Sequence, residues 1–163
     1  MRLRDVTLDD VDAYVRMRCD PVMMAELGGP VPREGIEDKV ARDVRTVESG
    51  EGWIKIVTPD DSDEPMGHIT LWSHTDHGDR MTEMGWMVLP EYQGRGVGKW
   101  GVRTVLDRAA ADGRWGRVNA FPGVNNGPSN GICRSLGFTF PGPVEIDENG
   151  ELIVLNHWTI NPS

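Results

Sequence analysis

Polar and apolar residues alternate over residues 2–6, a period of two that predicts a short strand. The period then lengthens. Thr7-Leu8-Asp9-Asp10 sets a capping threonine three residues ahead of an acid, the spacing of a capping box. Leu8, Val11, Tyr14, Val15 and Arg18 follow at helical spacing, and Gly28-Gly29-Pro30 breaks the chain. Over 33–48, Ile36, Val40, Val44 and Val47 share one helical face, while Asp38 and Arg42 stand four apart on the other, spaced to pair. After Gly50-Glu51-Gly52 the period of two returns. Residues 53–58, 66–73 and 81–89 read as strands joined by an acidic turn at 59–65 and a polar loop at 74–80, an antiparallel meander. Gly85, inside the third of these strands, predicts a bulge or a close backbone approach. Residues 97–112 form a helix with Val97, Gly101, Val105 and Ala109 on one stripe, widened by Val102, Leu106 and Ala110 and stopped by Gly113. A short strand over 117–121 follows. A short helix over 129–136 turns Ile132, Cys133 and Leu136 inward and ends at Gly137. Strands near 138–146 and 151–160 flank the turn Asp147-Glu148-Asn149-Gly150. The order β α α β β β α β α β β predicts an α/β (α+β) fold, a mixed, mostly antiparallel central sheet flanked by helices.

The 163 residues suit a single domain over 1–163. A chain of this length buries about 68–70% of its unfolded surface, so no metal or disulfide is needed to hold a core. Cys19 and Cys133 are too few for a disulfide framework. No run approaches the ~18 apolar residues of a membrane span, and Met1-Arg2-Leu3-Arg4-Asp5 lacks the apolar core of a secretory leader. The expectation is a cytoplasmic protein with no membrane partner. Lys and Arg number 17 against 26 Asp and Glu, a net charge of -9. Such a field repels phosphate backbones, which excludes nucleic acid as the natural partner, and attracts cations, protonated amines among them. Trp53, Trp72 and Trp86 fall on three consecutive predicted strands, where core packing is the expectation and the wall of a cleft the alternative.

The most specific segment is Pro90-Glu91-Tyr92-Gln93-Gly94-Arg95-Gly96-Val97-Gly98-Lys99, which joins a strand to a helix. Alternating glycines let backbone N–H groups converge, and the helix start adds partial positive charge, so the turn suits a diphosphate. A nucleotide-hydrolysing P-loop needs a hydroxyl after Gly98-Lys99, where Trp100 stands. A dinucleotide fingerprint is formally present over 96–101. It follows its strand too late, however, and Asn119 and Ala120 stand where the ribose-binding acid belongs. Coenzyme A remains. Gln93-Gly94-Arg95-Gly96-Val97-Gly98 fits the acyl-CoA signature Q/R-x-x-G-x-G/A of the GNAT superfamily of N-acetyltransferases. The run Glu83 to Gln93 resembles that family's fourth strand and pyrophosphate loop, and Asn126-Gly127-Pro128-Ser129 with Leu136-Gly137-Phe138 is similar to its N-x-x-S … L-G-F segment. The resemblance is to the branch that acetylates ribosomal-protein N-termini, polyamines and antibiotics.

This resemblance implies a GNAT fold splayed between its fourth and fifth strands, with acetyl-CoA as co-substrate, no metal, and a small-molecule amine or peptide N-terminus as acceptor. It implies that Gln93, Gly94, Arg95, Gly96, Val97, Gly98 and Lys99 hold the diphosphate. Trp86, Met87 and Val88 would line the pantetheine arm, with Asn126 and Ser129 against it. Acetyl transfer to an amine needs a base, a donor for the thioester oxygen and an acid for the thiolate. Glu83 is the expected base, with His74 and His77 as second choices. The backbone N–H groups of Met87 and Val88 are the expected oxygen donors. Many relatives carry a tyrosine four residues before the Gly of L-G-F; Cys133 stands there, so the acid falls to Cys133 or Ser129. A thiol near pKa ~8.5 can donate, but an inward-facing Cys on a short helix is also a small core residue. The loop His74-Thr75-Asp76-His77-Gly78-Asp79 reads as solvated rather than metal-binding. The alternatives are a catalytically silent acyl-CoA-binding sensor and a transferase with a longer acyl donor, as monomer or homodimer in any case.

Overall fold

The capping box forms. Thr7 Oγ1 accepts the Asp9 N–H (3.2 Å) and the Asp10 carboxylate accepts the Thr7 N–H (2.8 Å). A computed structural model describes residues 1–148 and 150–162. In chain order it contains β1 (Arg2–Asp5), α1 (Val11–Arg18), α2 (Ile36–Ser49), β2 (Gly52–Thr58), β3 (Gly67–Asp76), β4 (Asp79–Val88), α3 (Val97–Asp112), β5 (Val118–Ala120), α4 (Gly127–Ser135), β6 (Thr139–Glu148) and β7 (Glu151–Ile160). The strands make one sheet ordered β1-β2-β3-β4-β5-β7-β6. Every neighbouring pair is antiparallel except β4–β5, which is parallel. The predicted mixed sheet flanked by helices is the fold observed.

Each face of the sheet buries its own core. On one face Val97, Val102, Val105 and Leu106 of α3 and Cys133 of α4 pack with Ile69, Leu71 and Met84. On the other face Tyr14, Met17, Ile36 and Val40 of α1 and α2 pack with Ile54, Ile56 and Leu89. Leu89 is fully buried and fixes the end of β4 where the glycine turn begins. Gly101 lets α3 settle onto the sheet, since a Cβ there would lie 2.8 Å from Ile69 Cδ1.

Four expectations are corrected. The polar loop at 74–80 is instead a tight hairpin. β3 and β4 pair as far as Asp76 and Asp79, and only His77 (φ 48°) and Gly78 (φ 87°) turn the chain. Both turn residues adopt the positive φ that a two-residue hairpin with the right twist requires. Asp38 and Arg42 form no ion pair among the described residues; Lys39–Asp43 forms instead, at 2.8 Å. Asp43 is buried and also accepts the Tyr14 hydroxyl, which explains its choice of partner. Gly85 causes no bulge, because β3–β4 register runs through it unbroken with Gly85 opposite Thr70. A Cβ at Gly85 would instead crowd Thr70 Oγ1 at 3.1 Å. The fifth strand is three residues long rather than five, and Pro122, without an N–H, cannot extend it as a ladder. In the β6–β7 turn the Gly150 N–H bonds to Asp147 Oδ1; Asn149 lies outside the described residues.

Candidate functional site

The shortness of β5 builds the site. Its pairing with β4 covers Thr82–Met84 and stops. Beyond Met84, Gly85–Val88 keeps β3 on one side and leaves the other edge open. The Leu89 N–H donates to the Met66 carbonyl at 2.9 Å, on the β3 side. Strand alternation then turns the Met87 N–H toward β3 and the Val88 N–H toward the open edge. Of the two expected backbone donors, only that of Val88 faces the opening.

The open edge runs directly into the glycine turn. Leu89-Pro90-Glu91-Tyr92 makes a single tight turn, and Gln93 Nε2 donates back to the Val88 carbonyl at 2.9 Å. Gln93 thus braces the loop against the strand. Gly94 (φ 75°) and Gly96 (φ 78°) take left-handed conformations with nothing near a hypothetical Cβ, so glycine is needed there for backbone shape alone. Gly98 differs. A Cβ there would sit 3.0 Å from Ile132 Cδ1 and 3.3 Å from Val88 Cγ2, so glycine lets α3 approach β4 and α4. The Trp100 N–H closes the first helical bond onto the Gly96 carbonyl, which leaves the amides of Val97, Gly98 and Lys99 without a helical acceptor. No acidic side chain occupies this first turn. The positive end of α3 is therefore uncompensated, with Arg95 and Lys99 beside it, and it fits a diphosphate.

These parts surround one cleft of about 580 Å³. Trp86, Met87, Val88, Gln93, Gly94, Gly96, Val97, Gly98, Lys99, Asn126 and Ser129 all line it; of the expected cofactor contacts only Arg95 lies outside the lining. Arg95 instead stands 5.8 Å from the Tyr92 ring. Asn126 caps α4 by accepting the Ser129 N–H at 3.1 Å. Ser129 Oγ accepts the Trp86 indole N–H at 3.2 Å across the cleft, which leaves the hydroxyl proton free to be donated.

Glu83 shares its face of β4 with Gly85 and Met87. Its Oε2 lies 2.9 Å from His74 Nε2, the two residues being brought together by the β3–β4 register. Trp72 stacks on His74 with ring centroids 6.4 Å apart. Burial pushes the Glu83 carboxyl up from its ordinary value, against the opposing hydrogen bond from His74. His77, at the hairpin tip, is 95% exposed and takes no part in this group. Beside Glu83 in register, Asn119 donates to the Thr82 carbonyl (3.0 Å) and contacts His157 Nε2 (2.8 Å). Cys133 is fully buried among the core residues on α4, does not line the cleft, and burial pushes its thiol up to about 12.

The family resemblance implies that the segment Cys19 to Pro32, between the first two helices, lies on the acceptor side, without singling out a residue in it; four of its residues, Val22, Met23, Glu26 and Leu27, line the cleft. Ile132, predicted to face inward from α4, also forms part of the cleft wall.

A sequence model of the family described as acetyltransferase (GNAT) domain matches residues 1–139. No curated protein matches the chain. Among solved structures, an acetyltransferase (GNAT family) from Bacillus anthracis is similar with a TM-score of 0.80 at 19% identity, covering 98% of this chain and 93% of that one. RimJ from Mycobacterium smegmatis, in complex with CoA-disulfide, gives 0.78 at 19% identity over 98% of this chain and 80% of its own. YncA, a putative acetyltransferase from Salmonella typhimurium with its cofactor acetyl-CoA, gives 0.77 at 19% identity over 100% of this chain and 94% of its own. At such identities the likeness establishes a shared fold.

Proposed function

The chain belongs to the GNAT acetyltransferase family, and on that premise we propose that it moves an acetyl group from acetyl-CoA to a primary amine by direct attack in a ternary complex, with acetyl-CoA in the cleft and the amine at Glu83, which lies outside the cleft lining on the same strand as Trp86, Met87 and Val88. The observation that carries this reading is the open edge of β4 beyond Met84 leading into the unopposed amides of α3. The co-substrate supplies an activated thioester. The amides of Val97, Gly98 and Lys99 would hold its diphosphate, and the exposed backbone of Trp86 would hold its arm as an added strand is held. The Val88 N–H would donate to the thioester oxygen as negative charge builds there.

Glu83 would take the proton from the amine, whose free pKa lies near the ~10.4 of a lysine. Its raised carboxyl suits that role, since a base works best with a pKa near the working pH. His74 positions it. Ser129 would give its hydroxyl proton toward the departing sulfur. Cys133, sealed in the core, has no part in the chemistry.

The test is a panel of primary amines with acetyl-CoA, followed by release of free thiol, in wild type and Glu83→Gln. Wild type should turn over, and the variant should lose about 10²–10⁴-fold in kcat while still binding acetyl-CoA. The acid limb of the wild-type pH profile should sit above the ordinary carboxylate range. Binding of acetyl-CoA without acetylation of any amine would overturn the proposal in favour of a silent sensor.

A further inference from the structure

The three-residue β5 leaves β4 unpaired at both ends. Beyond Met84 lies the cleft already described. Before Thr82, Asp79–Met81 pairs with β3 alone, and the chain entering β5 passes beside it. A second cavity of about 570 Å³ opens there, and it shares no lining residue with the cleft. Its volume falls within the ~300–1,000 Å³ usual for small-molecule sites. Three arginines line it: Arg80 from β4, and Arg114 and Arg117 from the segment between α3 and β5. Such a gathering is unexpected in a chain of net charge -9.

The arginines are held but not neutralised. Arg114 Nη1 donates to the Gly50 carbonyl at 2.8 Å, and its Nε lies 3.2 Å from Asp112 Oδ1. Its guanidinium stands 4.3 Å from the Trp115 ring centroid. That grip leaves Nη2 without a partner among the described residues. Arg80 reaches only Ser73 Oγ, at 3.4 Å, and Arg117 forms no hydrogen bond or ion pair among the described residues. Asp76 and Asp79 also line the cavity, opposite each other at the hairpin end. Strand alternation puts Asp79 on the other face of β4 from Arg80. Asp76 makes its one ion contact with His77, at 3.6 Å, so neither acid answers an arginine. Trp115 supplies a floor. It is 4% exposed, and its carbonyl is fixed by the Thr82 hydroxyl at 2.7 Å. Its indole N–H is buried with no acceptor among the described residues, a second unmet donor at the same place. Guanidinium groups gathered without counter-charges repel one another, and a bound anion offsets that cost. Their planar forks match carboxylate and phosphate oxygens.

We propose that this cavity binds a small organic polyanion, a molecule carrying two or more carboxylate or phosphate groups. The inference stands apart from the acyl-transfer reading. Calorimetry tests it by titrating citrate and, separately, pyrophosphate into protein saturated with CoA, which fills the diphosphate turn. Wild type should bind at least one of them at one site per chain, and the tighter of the two tells carboxylate from phosphate. The net negative field repels polyanions from the rest of the surface, so saturable binding reports a local site. Arg80→Gln and Arg117→Gln remove exposed side chains on which no other element rests, so both variants should fold. Each should weaken binding about tenfold, the size of one charge-assisted hydrogen bond. Arg117→Lys should recover part of the loss, since it keeps the charge without the fork. Without CoA, Gly96→Asp should bind citrate as wild type does. No saturable binding of either anion by wild type, affinity unaltered in both glutamine variants, or citrate binding lost in Gly96→Asp would each overturn the inference.

Discussion

Replacing His68 with leucine should flatten the acid side of the protein's stability curve. His68 lies on β3 opposite Met87, beneath α1, with its ring edge-on to Tyr14 at 5.4 Å. Neither ring nitrogen has a hydrogen-bond partner among the described residues. Burial pushes its pKa down to about 3, helped by the charges of Arg18 and Lys39 and opposed by those of Asp43 and Asp10. In the unfolded chain the same imidazole titrates near ~6.5. The sign follows directly. As pH falls below ~6.5 the unfolded chain takes up a proton that the native protein refuses until about pH 3, so acid favours unfolding. Integrated from pH 8 to pH 5, this one group costs about 2 kcal/mol, a large share of a typical stability of roughly 5–15 kcal/mol. At pH 5 the native ring is still uncharged, so the figure depends on the unfolded pKa and scarcely on the native one. Urea unfolding followed by tryptophan fluorescence at pH 8, 6.5 and 5 gives the stability of each protein by linear extrapolation. Glu83, whose raised carboxyl pulls the other way, is present in both proteins and cancels in the difference. At pH 8, His68→Leu should match or exceed wild type, because it removes two unpartnered buried polar atoms at similar volume. Between pH 8 and 5 it should gain about 2 kcal/mol on wild type. Parallel curves for the two proteins would refute the reasoning.

Gly96→Asp should weaken acetyl-CoA binding by tenfold or more in calorimetry, since it sets a charge of about −1 against the diphosphate while aspartate tolerates the left-handed turn. Equal affinity in both proteins would remove the glycine turn as the diphosphate site. Ser129→Ala should lower kcat more than it alters acetyl-CoA affinity. Cys133→Ala should leave kcat near wild type and cost about 1–2 kcal/mol of stability for the lost packing of a buried sulfur. A large kcat loss in Cys133→Ala with the fold intact would return the thiol to the chemistry. For a cationic acceptor, kcat/KM should fall as salt rises, because the field of a chain with net charge -9 is screened over ~10 Å at 0.1 M. Turnover independent of salt would show that the field does not steer the acceptor.

What could be read from residues alone is what depends on neighbours along the chain. The capping box at Thr7, the stripe of α3 and its stop at Gly113, and the glycine turn between a strand and a helix each lie within one element and its flanking residues. Their period and turn chemistry determine them wherever the segment is placed. The family resemblance was legible for the same reason, since its motifs are local runs. The tertiary structure decided what those elements touch. Gly96 and Gly98 look alike in the sequence, yet Gly96 is there for its φ of 78° and Gly98 for the approach of Ile132 and Val88. The polar run at 74–80 gave no sign of being strand, because neither face is buried enough to impose alternation. Only the His77-Gly78 turn sets the register that draws His74 to Glu83. The open edge of β4 exists because β5 is short, a fact about pairing rather than about β4 itself. The contact of Glu26 with Gly123 joins segments almost a hundred residues apart. Local backbone preferences are set by a few adjacent residues. Which side chains meet across the sheet is set by packing among elements distant in sequence, which no local pattern encodes.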